Sequence, residues 1–267
     1  MITIGETMGN KFTAFTLAEV LITLGIIGVV AALTLPSLIA NYRKNVLATQ
    51  FKKSVSIISQ AILLTKTEIG IENFADYCTS LDTDNSSYTN VNECYNAFEK
   101  NFVKIANRRD QASNVSMIYD IDRSNETIKT YNGKQILTYS ALAGPAEAIF
   151  LVQVMPDGSF FNMHIDEGTL YIGADINGSK RPNQFGHDIF LFVLDKKKDT
   201  LTYYKPENLS DEDLENGDYE YEYQKERKGN PCNLTSNQKA NGIGCAYYAL
   251  RDECPDSPGK SYFNCLP

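Results

Sequence analysis

Residues 15–42 read FTLAEVLITLGIIGVVAALTLPSLIANY, and the fold class follows from them. The stretch holds one charged side chain, Glu19, and none from Val20 to Ala40. At 1.5 Å per residue, about 20 helical residues cross a hydrocarbon core of about 30 Å. The run is therefore long enough to span a bilayer. It exceeds the apolar core of an ordinary secretory signal, which is about 7–15 residues. Gly25 and Gly28 interrupt the Leu, Ile and Val, and Gly28 with Ala32 forms a pair of small residues four apart. Such pairs let one membrane helix approach another closely.

Glu19 is the anomaly. A lone acid at membrane depth costs about 2.5–3.5 kcal/mol on insertion scales, so such residues usually have a partner. A local explanation exists. Thr16-x-x-Glu19 has the spacing of a capping box, and Phe15 with Val20 has that of the accompanying hydrophobic staple. An acid in the first turn also suits the helix dipole.

The residues leading into the run are Lys11-Phe12-Thr13-Ala14-Phe15-Thr16-Leu17-Ala18-Glu19. With the apolar run that follows, they resemble the cleavage and methylation signature of type IV prepilins, shared by the pseudopilins of type II secretion. The resemblance implies that a prepilin peptidase cuts between Ala14 and Phe15 and methylates the new amino terminus on Phe15. Glu19 then matches the fifth residue of the mature family member. Pro36 matches a helix-breaking proline, where the family helix loosens as subunits enter a filament. Ala14 stands where the family usually has Gly, and Glu6 offsets Lys11 in the leader. A start at Met8 would give a shorter, more basic leader. The implied location is a single pass of the bacterial inner membrane with an extracytoplasmic head, and later a periplasmic or cell-surface filament. Implied partners are the prepilin peptidase, other pilin or pseudopilin subunits, the inner-membrane assembly platform and membrane lipid. Arg43 and Lys44, counted alone, favour the opposite orientation under the positive-inside rule. The signature takes precedence over that count.

The chain has 267 residues, a net charge of −8 and 43% hydrophobic content, enough for one or two domains with a real core. An acidic balance argues against a nucleic-acid surface, so no nucleic acid is expected as a partner. Cys78, Cys94, Cys232, Cys245, Cys254 and Cys265 form an even set outside the apolar run, with no C-x-x-C pair. That usage suits disulfides in an oxidising space. Six cysteines allow 15 connectivities. Our assignment is Cys78–Cys94 and two pairs within the last four.

The expected organisation is a leader at 1–14, a transmembrane and assembly helix at 15–40, an amphipathic continuation at 41–70 and a globular extracytoplasmic head at 71–267. Leu47, Phe51, Val55, Ile58 and Ile62 recur at helical spacing and form one apolar face. Gly70 suits the C-terminal end of that helix. Residues 71–90 read as a polar connection. Cys94, Phe98, Phe102 and Ile105 predict a short helix over 92–106. Beyond Val115 the period becomes that of strands. Thr127–Tyr131 and Lys134–Thr138 flank Asn132-Gly133 as a hairpin. Residues 148–155 and 159–165 flank Pro156-Asp157-Gly158 as a second. Strands at 169–174, 188–194 and 201–204 complete six or seven. Residues 207–226 are acidic and Tyr-rich and read as a solvated loop. The expected fold is α+β and pilin-like: a long N-terminal helix packed on an antiparallel sheet, with a disulfide-tied tail.

No catalytic spacing stands out around His164 or His187, so the chain is expected to be no enzyme. Asp175-x-Asn177-Gly178, ending at Asp188, offers oxygen ligands and a turn glycine, as calcium loops do. Some type II secretion pseudopilins bind calcium in a comparable loop. The weightier alternative is a polar turn whose side chains bond backbone amides, so no cofactor is expected unless calcium takes Asp175, Asn177 and Asp188. The leading function is a major or minor structural subunit of a type IV pilus or type II secretion filament. The alternatives are a tip-located ligand-binding minor pilin and an unassembled single-pass membrane-anchored binding protein.

Overall fold

The structure, a computed structural model, describes residues 16–80, 88–105, 121–122, 127–138, 151–155, 157–166, 169–178, 180–203 and 231–267. By contacts the chain divides into two units, Met1–Arg43 and Lys44–Pro267. The leader, the 207–226 segment and the DTDNSS stretch lie outside the described residues.

The described part of the first unit is wholly helical from Leu17. Helix α1 spans Leu17–Ile69 and continues without a break through Pro36. Every residue from Thr16 to Arg43 is exposed except half-buried Ala31. A single apolar stripe would turn one face inward. Here the apolar residues lie on all sides.

In the second unit α1 becomes one-faced. Leu47, Phe51, Ser54, Ile58, Ala61, Ile62 and Thr65 are buried. Val55 is only half-buried, and Ser54, Ala61 and Thr65 join the face instead. Thr65 is tolerated there because its hydroxyl donates to the Ala61 carbonyl at 2.8 Å and accepts from Asn101 Nδ2 at 3.2 Å. Gly70, at φ 72°, ends the helix, and the Gly70 and Ile71 amides both donate to the Lys66 carbonyl.

The connection expected over 71–90 is partly helical. Helix α2 spans Phe74–Ser80 and α3 spans Tyr88–Ile105, so α3 begins four residues before the expected start. Asn73 caps α2 through the Asp76 amide at 2.8 Å. A seven-residue helix carries too little periodicity to stand out from its sequence. Its stability comes from burying Phe74, Ala75 and Cys78 and from the Cys78–Cys94 bond to α3.

Among the described residues eight strands follow: β1 Ile121–Asp122, β2 Thr127–Lys129, β3 Ile136–Thr138, β4 Leu151–Val154, β5 Phe160–Asp166, β6 Thr169–Asp175, β7 Ile189–Asp195 and β8 Thr200–Thr202. Six form an antiparallel sheet in the order β1-β4-β5-β6-β7-β8. β2 and β3 form a separate two-stranded sheet, paired Lys129 to Ile136. The Asn132-Gly133 turn is therefore wider than expected. It is a four-residue loop closed by the Thr130 amide donating to Gln135 O at 3.1 Å. Helix α4 covers Cys245–Arg251, and a 3-10 turn covers Tyr262–Cys265.

Both faces of the sheet are covered, not one. Successive side chains of a strand alternate between faces. On β6 and β7, Leu170, Ile172, Ala174, Phe190, Phe192 and Leu194 join the core with α1. Phe51 lies 4.6 Å from Phe190 and 6.0 Å from Phe192, ring centre to ring centre. Tyr171, Ile189 and Leu191 face the other way and meet Ile128 and Leu137 of the β2–β3 sheet, with Phe185, Ala240 and Ile243. The tail is thus part of the core. It is tied by Cys232–Cys245 and Cys254–Cys265, the two pairs expected within the last four cysteines, whose partners the sequence left open.

Candidate functional site

Two sites were legible from the sequence: the start of α1, and the Asp175–Asp188 turn. At the first, the chain itself satisfies part of the Glu19 carboxylate. The Thr16 amide and hydroxyl both donate to Glu19 Oε2 at 2.8 Å, and the Glu19 amide donates to Thr16 Oγ1 at 3.2 Å. This reciprocal pattern is the capping box. Ala14 and Phe15 lie outside the described residues, and so does the staple contact. α1 is long and apolar enough to cross a membrane. Leu17, Leu33 and Leu38 are 79%, 76% and 64% exposed, and no atom outside the helix lies within 4 Å of a Cβ built on Gly25 or Gly28. So large an apolar surface in water marks a membrane or protein interaction face.

The second site is a buried turn. Ile176 N donates to Asp188 O at 2.8 Å, which draws Asp188 beside the end of β6. The two Asp188 carboxylate oxygens accept the Asn183 and Gln184 amides at 2.8 and 2.7 Å. Asp175 Oδ1 accepts the Asn177 amide at 3.3 Å. Asp175, Asn177 and Asp188 are all buried. Among the described residues no group of three or more His, Cys, Asp and Glu is placed to hold a metal ion. The structure thus gives Asp188 the amide-bonding role of a polar turn. Burial pushes the Asp188 carboxyl up to about 6, against the pull of its amide bonds.

Gly178 and Gly186 make this turn possible. Both have positive φ, 69° and 73°. A Cβ on Gly178 would lie 1.8 Å from Gly158 O, and one on Gly186 would lie 2.6 Å from Cys245 Sγ. Only glycine allows that approach at that backbone angle.

Neither the Tyr131 carbonyl nor Asp199 was expected to matter. Gln184 Nε2 donates to Tyr131 O at 2.8 Å, and His187 Nε2 lies 3.1 Å from the same oxygen. Lys129 of β2 bonds to the turn through both backbone groups, its amide donating to Asn183 O and its carbonyl accepting from the Phe185 amide. The β2–β3 hairpin therefore closes over the turn. Burial pushes the His187 ring down to about 4, helped by Lys44 and Lys129 and opposed by the Tyr131 bond. Carbonyl acceptors carry no side-chain signature, so no sequence motif could have found Tyr131.

No protein-family model, curated protein or solved structure matches this chain.

Proposed function

We propose that the chain is a structural subunit of a pilus-like or secretion filament, cut by a prepilin peptidase and assembled through the apolar half of α1. One observation carries this reading: from Leu17 to Leu38 the helix is apolar and exposed on every side, with Glu19 as its single charge. A membrane stores such a helix, and a bundle of like helices buries it. Three disulfides support a head on the oxidising side of the inner membrane. The head acts as scaffold and spacer, with no catalytic role, and Asp175, Asn177 and Asp188 build its turn.

Mass spectrometry of the mature amino terminus tests the reading. The expected product begins at N-methylated Phe15. An intact leader, or cleavage beyond the apolar run, overturns it. Sheared filaments then separate the subunit types: a major subunit dominates them, and a tip-located minor subunit is scarce.

A further inference from the structure

Cys78, Cys94, Cys232, Cys245 and Cys254 are buried, and only Cys265 of the six is partly open to solvent. Disulfide exchange begins with a thiolate reaching one sulfur in line, so access selects the bond that opens. The surroundings sharpen the contrast. Cys78 and Cys94 lie inside the α2–α3 core beside Phe74 and Phe98. Cys245 sits so tightly against Gly186 that no Cβ fits between them. The loop closed by Cys254 and Cys265 is different: no residue from 255 to 261 is buried.

That bond also holds something down. Lys44 Nζ donates to Leu266 O at 2.9 Å and to Asn264 O at 3.3 Å. Phe263 packs 5.6 Å from Phe51 of α1 and 6.3 Å from Phe190 of β7. Tyr262 donates its hydroxyl to Gly186 O at 2.6 Å. The segment 252–267 thus seals the seam between α1 and the sheet.

We propose that Cys265 is a thiol-exchange site, and that the Cys254–Cys265 bond is a latch on this segment, opened and closed by a dithiol–disulfide oxidoreductase. A thiolate of the partner attacks Cys265 Sγ, forms a mixed disulfide and releases Cys254 as the thiolate. The partner's second thiolate then attacks its own sulfur in that mixed disulfide and releases Cys265. Two electrons and two protons pass to Cys254 and Cys265, and the dithiol becomes a disulfide. Closing is the reverse. The latch needs only the disulfides and is independent of filament assembly.

The test uses the full chain in detergent micelles with graded dithiothreitol, quenching by N-ethylmaleimide and peptide mass analysis. Cys254 and Cys265 are expected to label about tenfold faster than the other four. Opening of another bond first, or of all three together, overturns the site. Lys44→Gln removes two of the segment's hydrogen bonds without touching a cysteine. It is expected to speed labelling of Cys254 and Cys265 several-fold and to leave the others unchanged. Unchanged labelling at Cys265 refutes the latch. After selective reduction, limited proteolysis is expected to cut newly within 252–267, and an uncut segment refutes the latch as well.

Discussion

Lys66 of α1 lies 2.5 Å from Asp199 of the β7–β8 turn, Nζ to Oδ2, and this pair joins three elements. The other Asp199 oxygen accepts the Phe74 and Ala75 amides at the start of α2, each at 3.0 Å. Asp199 is at φ 52°, a left-handed angle that Asp and Asn tolerate better than most residues. Asp199→Ala loses the cap, strains the backbone and leaves Lys66 unpaired, at a cost of about 2–4 kcal/mol. Asp199→Asn keeps the cap and the tolerated angle, so it should cost clearly less. Urea denaturation of the full chain in micelles ranks the two. Equal losses would remove the cap from the account.

Two glycines make opposite predictions. Gly186→Ala drives a Cβ into Cys245 and the Tyr131 ring at a positive φ, so a loss of more than about 3 kcal/mol is expected, with poor closure of Cys232–Cys245. A Cβ on Gly28 meets nothing within 4 Å, so Gly28→Leu should leave the melting temperature of the head unchanged. If α1 packs closely on other helices, the same substitution lowers filament yield. Normal filaments from Gly28→Leu would argue against close packing at that position.

Two adjacent groups oppose each other in acid. His187 is pushed down to about 4 from 6.5, so its contribution is full above about 6.5 and is lost as pH falls through about 4. Asp188 is pushed up to about 6 from 3.8, so its contribution is full below about 3.8 and is lost as pH rises through about 6. The two contributions have opposite sign. Relative to wild type, His187→Gln should gain stability as pH falls from 6 to 4, and Asp188→Asn should lose it. Parallel pH profiles for all three proteins would show that neither group titrates in the fold.

The same turn gives a metal test. With Asp188 bonded to two amides, excess calcium should leave the melting temperature of the full chain unchanged. Asp188→Ala should lower it with or without the ion. A calcium-dependent rise that Asp175→Ala abolishes would establish a cation site instead.

Glu19 separates capping from assembly. Oε2 accepts both Thr16 donors, and Glu19→Gln keeps an oxygen able to do the same. Helix content and membrane insertion should therefore survive. If a neighbouring subunit brings its Phe15 amine to this carboxylate, Glu19→Gln as the sole copy should fail to enter filaments efficiently, and co-expressed wild type should rescue it in part. Full incorporation of the sole copy would leave Glu19 as a cap alone.

By itself the sequence determined what depends on near neighbours. The apolar run, the capping box at Thr16 and Glu19, the stop at Gly70 and the strands around Pro156-Asp157-Gly158 are each set by residues a few positions apart. The sequence suggested Cys78–Cys94 and two pairs among the last four cysteines, and the structure decided that these are Cys232–Cys245 and Cys254–Cys265. Tertiary structure decided the rest. Seven-residue α2 forms because Asp199, more than a hundred positions away, caps it and its apolar side meets a core. The second buried face of the sheet exists because β2–β3 and the segment from Cys232 fold over Tyr171 and Leu191, and strand alternation alone cannot say whether a face meets water or protein. The Asp188 carboxyl is pushed up for the same reason: its surroundings exclude water, against the opposing pull of backbone amides, and neither is encoded at its own position.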